Sequence, residues 1–249
     1  MLVNIANIVH CDLSNLPNIK NPDMDNVKKA CFLAKKSMSD FVYEMSQLEG
    51  NPFTFPEIQT LIDGVTVGGH KVSDEQQILN LVDSWQMLFA KISDNTFAIN
   101  KETYCELQGY VARNEALEWG VFRNGSVTIA GTEFKPPEAN RLDEIFEAEL
   151  ADLEKVEHPA HKAMLMFLAG YRSQFFWDGN KRTSRLMMTG LLISNGLEAI
   201  SIPSKKHLEF NQKMVDFYDS GNGTEMMEFL IHCQPDLILE DAEESRPSF

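Results

Sequence analysis

The chain has 249 residues, 43% of them hydrophobic, and a formal net charge of −15. That length can bury a substantial core, as one large domain or one domain with an appendage. The acidic balance argues against nonspecific nucleic-acid binding and anionic membrane surfaces, because the long-range field repels phosphate; any phosphate site has to be a local basic pocket.

Cys11, Cys31, Cys105 and Cys233 are scattered without pair spacing, which reads as reduced thiols rather than a disulfide framework. The opening stretch MLVNIANIVHCDLSN lacks a basic region and soon meets charge and proline, unlike a secretory leader. No apolar run approaches the roughly 18 residues of a membrane span. A soluble, cytoplasmic protein is expected, with neither nucleic acid nor membrane as partner; homo-oligomerisation is left open.

In chain order, apolar positions from Val27 through Ala30, Cys31, Ala34, Met38, Phe41, Val42, Met45 and Leu48 predict one long helix over about 24–50, closed by Gly50 with Pro52 beyond. Ser73 with Gln76 predicts a capping box opening a second helix through Trp85 to Ile92. Asn100 is set to cap a third, through Tyr104, Leu107 and Val111. The period then changes: Asn124-Gly125 between two short alternating runs predicts a β-hairpin over about 120–134, ended by Pro136-Pro137. Leu142 to Leu153 marks another helix, and HPAHKAMLMFLAGYRSQFF reads as a central buried one. After WDGN, a helix runs from KRTSR to Asn195-Gly196, and two more follow around 205–219 and 224–233. The fold class is mainly α, with one short hairpin. A single domain over 21–235 is expected, with 1–20 an N-terminal extension and 236–249 an acidic, frayed tail.

The stretch SQFFWDGNKRTSR at 173–185 carries the chemistry. A loop opening onto a helix N-terminus offers unpaired N–H groups and the positive end of the helix dipole. Arg182 and Arg185, at i and i+3, supply planar forks suited to phosphate. Asp178 is a hard oxygen ligand, and Mg²⁺ commonly takes one carboxylate together with substrate phosphates. A bound Mg-nucleotide or other polyphosphate is predicted. The competing reading is a plain helix corner with Asp178 capping and the arginines solvated.

Phe176 to Arg185 resembles the signature of the Fic (Fido) family, His-x-Phe-x-Asp/Glu-Gly-Asn-Gly/Lys-Arg-x-x-Arg. SQLEGNPFTFPEIQTLIDG at 46–64 resembles that family's inhibitory segment, DEQQILNLVDSW its following Asn-containing helix, and GVFRNGSVTIAGTEFKPPEAN at 120–140 its hairpin flap. The resemblance implies a protein adenylyltransferase, moving AMP from ATP to a hydroxyl on a target protein. It implies that Asp178 holds Mg²⁺, that Gly179 and Asn180 line the phosphate cradle, that Arg182 grips phosphate and Arg185 orients the terminal one. Phe176 would anchor the loop, Val127, Thr128 and Ile129 would dock an extended target segment, and Glu49 would inhibit by occupying the Arg185 fork.

Two positions depart from the pattern. Where the family has its histidine general base, this chain has Gln174, whose carboxamide cannot accept a proton near pH 7; loss of such a base costs about 10²–10⁴ in rate. Lys181 stands where many members have glycine, and a lysine there occurs in a branch that phosphorylates its target. Three classes stay open: an adenylyltransferase restrained by Glu49 and slowed at Gln174, with phosphotransfer as its variant; a Fido domain that binds nucleotide or partner without transfer; and an unrelated acidic helical module.

Overall fold

The computed structural model describes residues 1–239. Ten helices dominate these residues: α1 (Val27–Lys36), α2 (Met38–Leu48), α3 (Phe55–Ile62), α4 (Val72–Ser93), α5 (Lys101–Val111), α6 (Leu142–Glu154), α7 (Pro159–Ser173), α8 (Asn180–Ser194), α9 (His207–Ser220) and α10 (Thr224–Cys233). None is long and apolar enough to cross a membrane. At the centre, α7 and α8 pack along each other, with α1, α4 and α5 against α8 and with α6, α10 and β2 against α7. Every α7 residue from Ala163 to Ser173 is buried, which is why that segment reads as apolar on all sides.

The single sheet lies elsewhere than predicted. It is an antiparallel pair, β1 (Leu2–Ile5) with β2 (Val9–Asp12), in register Leu2↔Asp12 to Ile5↔Val9. Its turn uses Ala6 and Asn7 at φ 50° and 57°, left-handed values for which alanine is a poor signal. Ile5, Val9 and Cys11 are buried, and His10 exchanges backbone hydrogen bonds with Gly221 and Gly223 at 2.9 Å. The first 20 residues thus pack against the helical domain through Ile5, Val9, Cys11 and Ile19 rather than extending from it. The far end closes in likewise: Lys20 N–H donates to Leu237 O at 2.8 Å and Leu237 is buried, so residues 236–239 are docked rather than frayed; the rest of the predicted tail lies outside the described residues.

The segment 120–134 is an extended strap with no ladder. Arg123 is the reason. Its backbone N–H, which a turn at Asn124-Gly125 would pair with Ser126 O, donates instead to Phe175 O at 2.9 Å, and its buried guanidinium ties the strap down from Nη1 to Gly125 O at 2.6 Å and from Nη2 to Pro137 O. Gly125 serves a close approach instead: a Cβ there would meet the Trp177 ring at 2.5 Å.

The helix predicted over 24–50 is broken. A 3₁₀ turn at Met24–Asn26 leads into α1, and Ser37, at φ −96° and ψ 13°, separates α1 from α2. The apolar stripe is continuous, but the bend lets α1 face α4 and α8 while α2 reaches α3 and α4. At α4, Lys71 rather than Ser73 is the N-cap. The capping box sits at Thr54, whose N–H donates to Glu57 Oε2 at 2.7 Å to open α3. Asn100 caps α5 as expected, accepting from Thr103 N at 2.8 Å, and His158 caps α7.

Candidate functional site

Helix α7 ends at Gln174, a left-handed residue at φ 47° and ψ 58°. A non-glycine residue there stores strain that the surroundings must impose. Two bonds do so: Gln174 O accepts from Arg123 Nε at 2.6 Å, and its side-chain Nε2 donates to Tyr171 O at 2.7 Å. Phe175 and Phe176 then plunge into an aromatic cluster with Tyr104, Phe122 and Phe146, so Phe176 anchors the loop as the resemblance implies. Gly179, at φ 75°, reverses the chain into α8; a Cβ would meet Val111 Cγ1 at 3.0 Å and Ala112 Cβ at 3.2 Å. Among the described residues, no protein acceptor takes the N–H groups of Asn180, Lys181 and Arg182, so α8 starts with the free donors expected of an anion site.

The Asn180 side chain is not in the cradle. Its amide brackets Phe176, accepting from the backbone N and donating to the backbone O, both at 2.8 Å. It staples the loop.

The two motif arginines diverge. Arg182, 3% exposed, donates to Glu115 Oε2 at 2.8 Å, to Val111 O at 3.3 Å and to Asp178 Oδ1 at 3.3 Å. Burial would lower its pKa, but the charges of Glu115, Glu49 and Asp178 more than offset that and hold it above the ordinary arginine value. Glu115 is in turn held by Asn80 Nδ2 at 2.9 Å and Gln77 Nε2 at 3.2 Å, and Gln77 accepts from Asn51 Nδ2 at 3.0 Å. The predicted phosphate-gripping arginine is therefore a locked strut. Sequence reading missed Glu115, Arg123 and Gln77; their partners lie far along the chain.

Arg185 faces a cavity of about 300 Å³ lined also by Glu49, Lys181, Gln174, Tyr171 and Tyr218, by the strap residues Thr128 to Ala130, and by the α9 side chains Phe210, Asn211, Met214 and Val215. Val127 is outside it. Glu49 closes α2, in a turn fastened by Asn51 through Asn51 N–H to Ser46 O at 3.0 Å and Asn51 Nδ2 to Asp74 O at 2.9 Å. The expected Glu49–Arg185 ion pair is not made: no such contact lies within 4 Å, and Glu49 Oε1 together with Arg185 Nε and Nη2 are buried without hydrogen-bond partners. The Arg185 guanidinium rests over the Phe210 ring at 5.3 Å. Burial raises the pKa values of Tyr171 and Tyr218 above the ordinary phenol value; for Tyr171 the nearby Arg185 charge offsets part of this and Glu49 adds to it.

Asp178 is more than half exposed. Its Oδ1 takes its neighbour's Gly179 N–H and Arg182 Nη2, and no group of three or more potential metal ligands occurs among the described residues. A single carboxylate beside free helix N–H groups fits a magnesium ion carried on phosphates, not a protein-made metal cage.

An α7–α8 pair whose second helix opens with bare N–H groups, next to a cavity that gathers an arginine, a lysine and a carboxylate, forms a candidate anion site in a helical domain. Residues 98–192 match the sequence profile of the Fic/DOC family, a stretch that includes the loop and most of α8 but neither Glu49 nor α9. Over that stretch the chain is similar to the Fic/DOC family. The "Protein adenylyltransferase Fic" of Drosophila melanogaster is 24% identical over 205 residues, covering 80% of this chain and 41% of that protein; the chain thus spans about two fifths of the curated relatives it matches. Fic-1 (residues 134–508) from C. elegans superposes with a TM-score of 0.67 at 14% identity, covering 85% of this chain and 62% of that one. A Fic family protein from Desulfovibrio desulfuricans G20 gives 0.63 at 19%, covering 90% and 75%. The fold is shared with both.

Proposed function

We propose that this chain binds Mg-ATP in the Arg185 cavity and transfers AMP to a hydroxyl of a target protein docked along Val127, Thr128 and Ile129, at a rate limited by Gln174. The observation that carries the reading is the convergence of Glu49, Arg185, Lys181, Gln174 and the strap on one cavity beside the free α8 N–H groups. Lys181 and Arg185 supply positive charge for the phosphates, and Asp178 would hold Mg²⁺, which supplies charge neutralisation when bound. The strap backbone between Asn124 and Thr132 donates to no backbone acceptor, leaving an edge for a target strand.

In the transfer, the target oxygen attacks the α-phosphorus, the bond from that phosphorus to the bridging oxygen breaks, and pyrophosphate leaves. The hydroxyl proton goes to solvent, because the Gln174 carboxamide has no basic atom and its nitrogen is committed to Tyr171 O. Glu49 shares the cavity without pairing to Arg185 and opposes phosphate there by its charge and volume. A second reading, nucleotide binding without transfer, is favoured by that same Gln174 bond; Lys181 in the cavity supports phosphotransfer as a variant. Intact-mass analysis after incubation with Mg-ATP and candidate targets tests these readings, comparing Glu49→Gly with the same variant carrying Gln174→His. An AMP-sized gain in Glu49→Gly supports slow transfer, and a gain only with Gln174→His supports a silenced scaffold. A phosphate-sized gain moves the reading to phosphotransfer, and no gain in either variant leaves binding alone.

A further inference from the structure

Tyr171 on α7 and Tyr218 on α9 belong to no part of the loop motif, yet both line the Arg185 cavity. Tyr171 is 1% exposed, Tyr218 4% and Arg185 6%. Both hydroxyls and Arg185 Nε and Nη2 are buried without partners. The Arg185 guanidinium lies beside the Tyr171 hydroxyl but outside hydrogen-bond geometry. Buried polar atoms are seldom left unpaired, and four in one wall call for a ligand. Burial keeps both phenols protonated, so each offers a hydrogen. The unmet groups are thus four donors, with Lys181 adding a charged one, against a single unmet acceptor, Glu49 Oε1. A ligand rich in acceptors satisfies that wall; one rich in donors does not.

We infer that Tyr171 and Tyr218 are phosphate-binding residues, donating with Arg185 to the oxygens of one phosphoryl group. The inference rests on the nucleotide reading only for what else is attached to that phosphate. Donors from two hydroxyls and a guanidinium fork meeting one phosphoryl group fix it in orientation as well as position. Because the hydroxyls bond nothing in the protein, removing them leaves the unliganded fold intact.

Calorimetric titration of the full chain, in wild type and in the Glu49→Gly background, with Mg-ATP and separately with pyrophosphate, tests this when repeated for Tyr171→Phe, Tyr218→Phe and the pair. The expected result is roughly ten-fold weaker binding of both ligands for each phenylalanine, with the ligand-free melting temperature unchanged or higher. Equal affinity in wild type and in the double variant overturns the inference, as does weaker binding that merely tracks a lowered ligand-free melting temperature. If pyrophosphate binds with this dependence and Mg-ATP does not bind, the tyrosine site stands and the nucleotide reading falls. If neither ligand binds either background, both fall.

Discussion

Arg182 and Arg185 sit one turn apart on the same helix, and their surroundings are opposite. Around Arg182 both terminal guanidinium nitrogens have acceptors, and Glu115, the carboxylate that holds it, is itself held by two amides. Around Arg185, Nε and Nη2 have no acceptor, and Glu49, which lines the same cavity, is likewise unpaired at Oε1. The first arrangement stabilises the fold, and the second holds polar groups in reserve for something that arrives. A recurring motif can therefore contain one arginine that builds the loop and another that uses it.

The comparison breaks most readily at the strut. Glu115→Ala leaves the buried Arg182 charge without its main partner and is expected to cost about 3 kcal/mol or more, a fall of roughly 6–12 °C in melting temperature for a domain of this size. Arg182→Met should approach the same loss, whereas Arg185→Met should not. If the two methionine variants melt alike, the contrast is wrong.

A third carboxylate lies beneath the loop on the core side. Burial pushes the Glu149 pKa up to about 8, opposed only by the Ser173 hydroxyl that donates to it. The native state thus retains a proton that the unfolded chain has lost. The stability this contributes is complete below the unfolded carboxylate range and disappears as pH rises through about 8. Denaturant titrations at pH 5 and pH 8 should show wild type weakening by up to about 1.4 kcal/mol per pH unit relative to Glu149→Gln. Parallel pH profiles for the two proteins would count against a protonated Glu149.

Smaller effects sharpen the picture at the strap. Gly125→Ala drives a methyl into the partly exposed Trp177 ring, expected to cost about 1 kcal/mol and to shift tryptophan emission. Smallest of all, Arg185→Met should change unfolding free energy by less than about 1 kcal/mol, because the guanidinium gives up no protein hydrogen bond from Nε or Nη2, while abolishing binding of Mg-ATP in the titration described above.

Much of this was legible in the linear sequence. Helical periodicity located α4 to α10, since apolar spacing reports burial wherever one face meets the core. The loop from Gln174 to Arg185 was legible because its glycine, asparagine and arginines act within a few residues of each other. What escaped depended on distant partners. Spacing of three places Arg182 and Arg185 about 60° apart around the helix, close enough to suggest a shared ligand, but Glu115 claims one of them. Asn124-Gly125 is a strong hairpin signal locally, overridden because Arg123 commits its backbone N–H to Phe175 O and its guanidinium to the carbonyls of Gly125, Pro137 and Gln174. Tyr171 and Tyr218 look like ordinary core aromatics, because nothing in a sequence says that a hydroxyl lacks a partner. The break at Ser37 escaped for the same reason: the stripe shows which face is buried, not that two helices must bury it against different neighbours.

The docking of β2 against Gly221 to Gly223 has a consequence for how the protein is made. The hairpin is synthesised well before the backbone that receives it, because β2 and residues 221–223 lie far apart in the chain. At typical ribosomal speeds of about 5–20 residues per second, its apolar face waits roughly 10–40 s for its seat. Until then Tyr218, one turn before that seat, has no fixed wall to stand in, so the cavity beside Arg185 takes shape only after the backbone that seats the hairpin has been made.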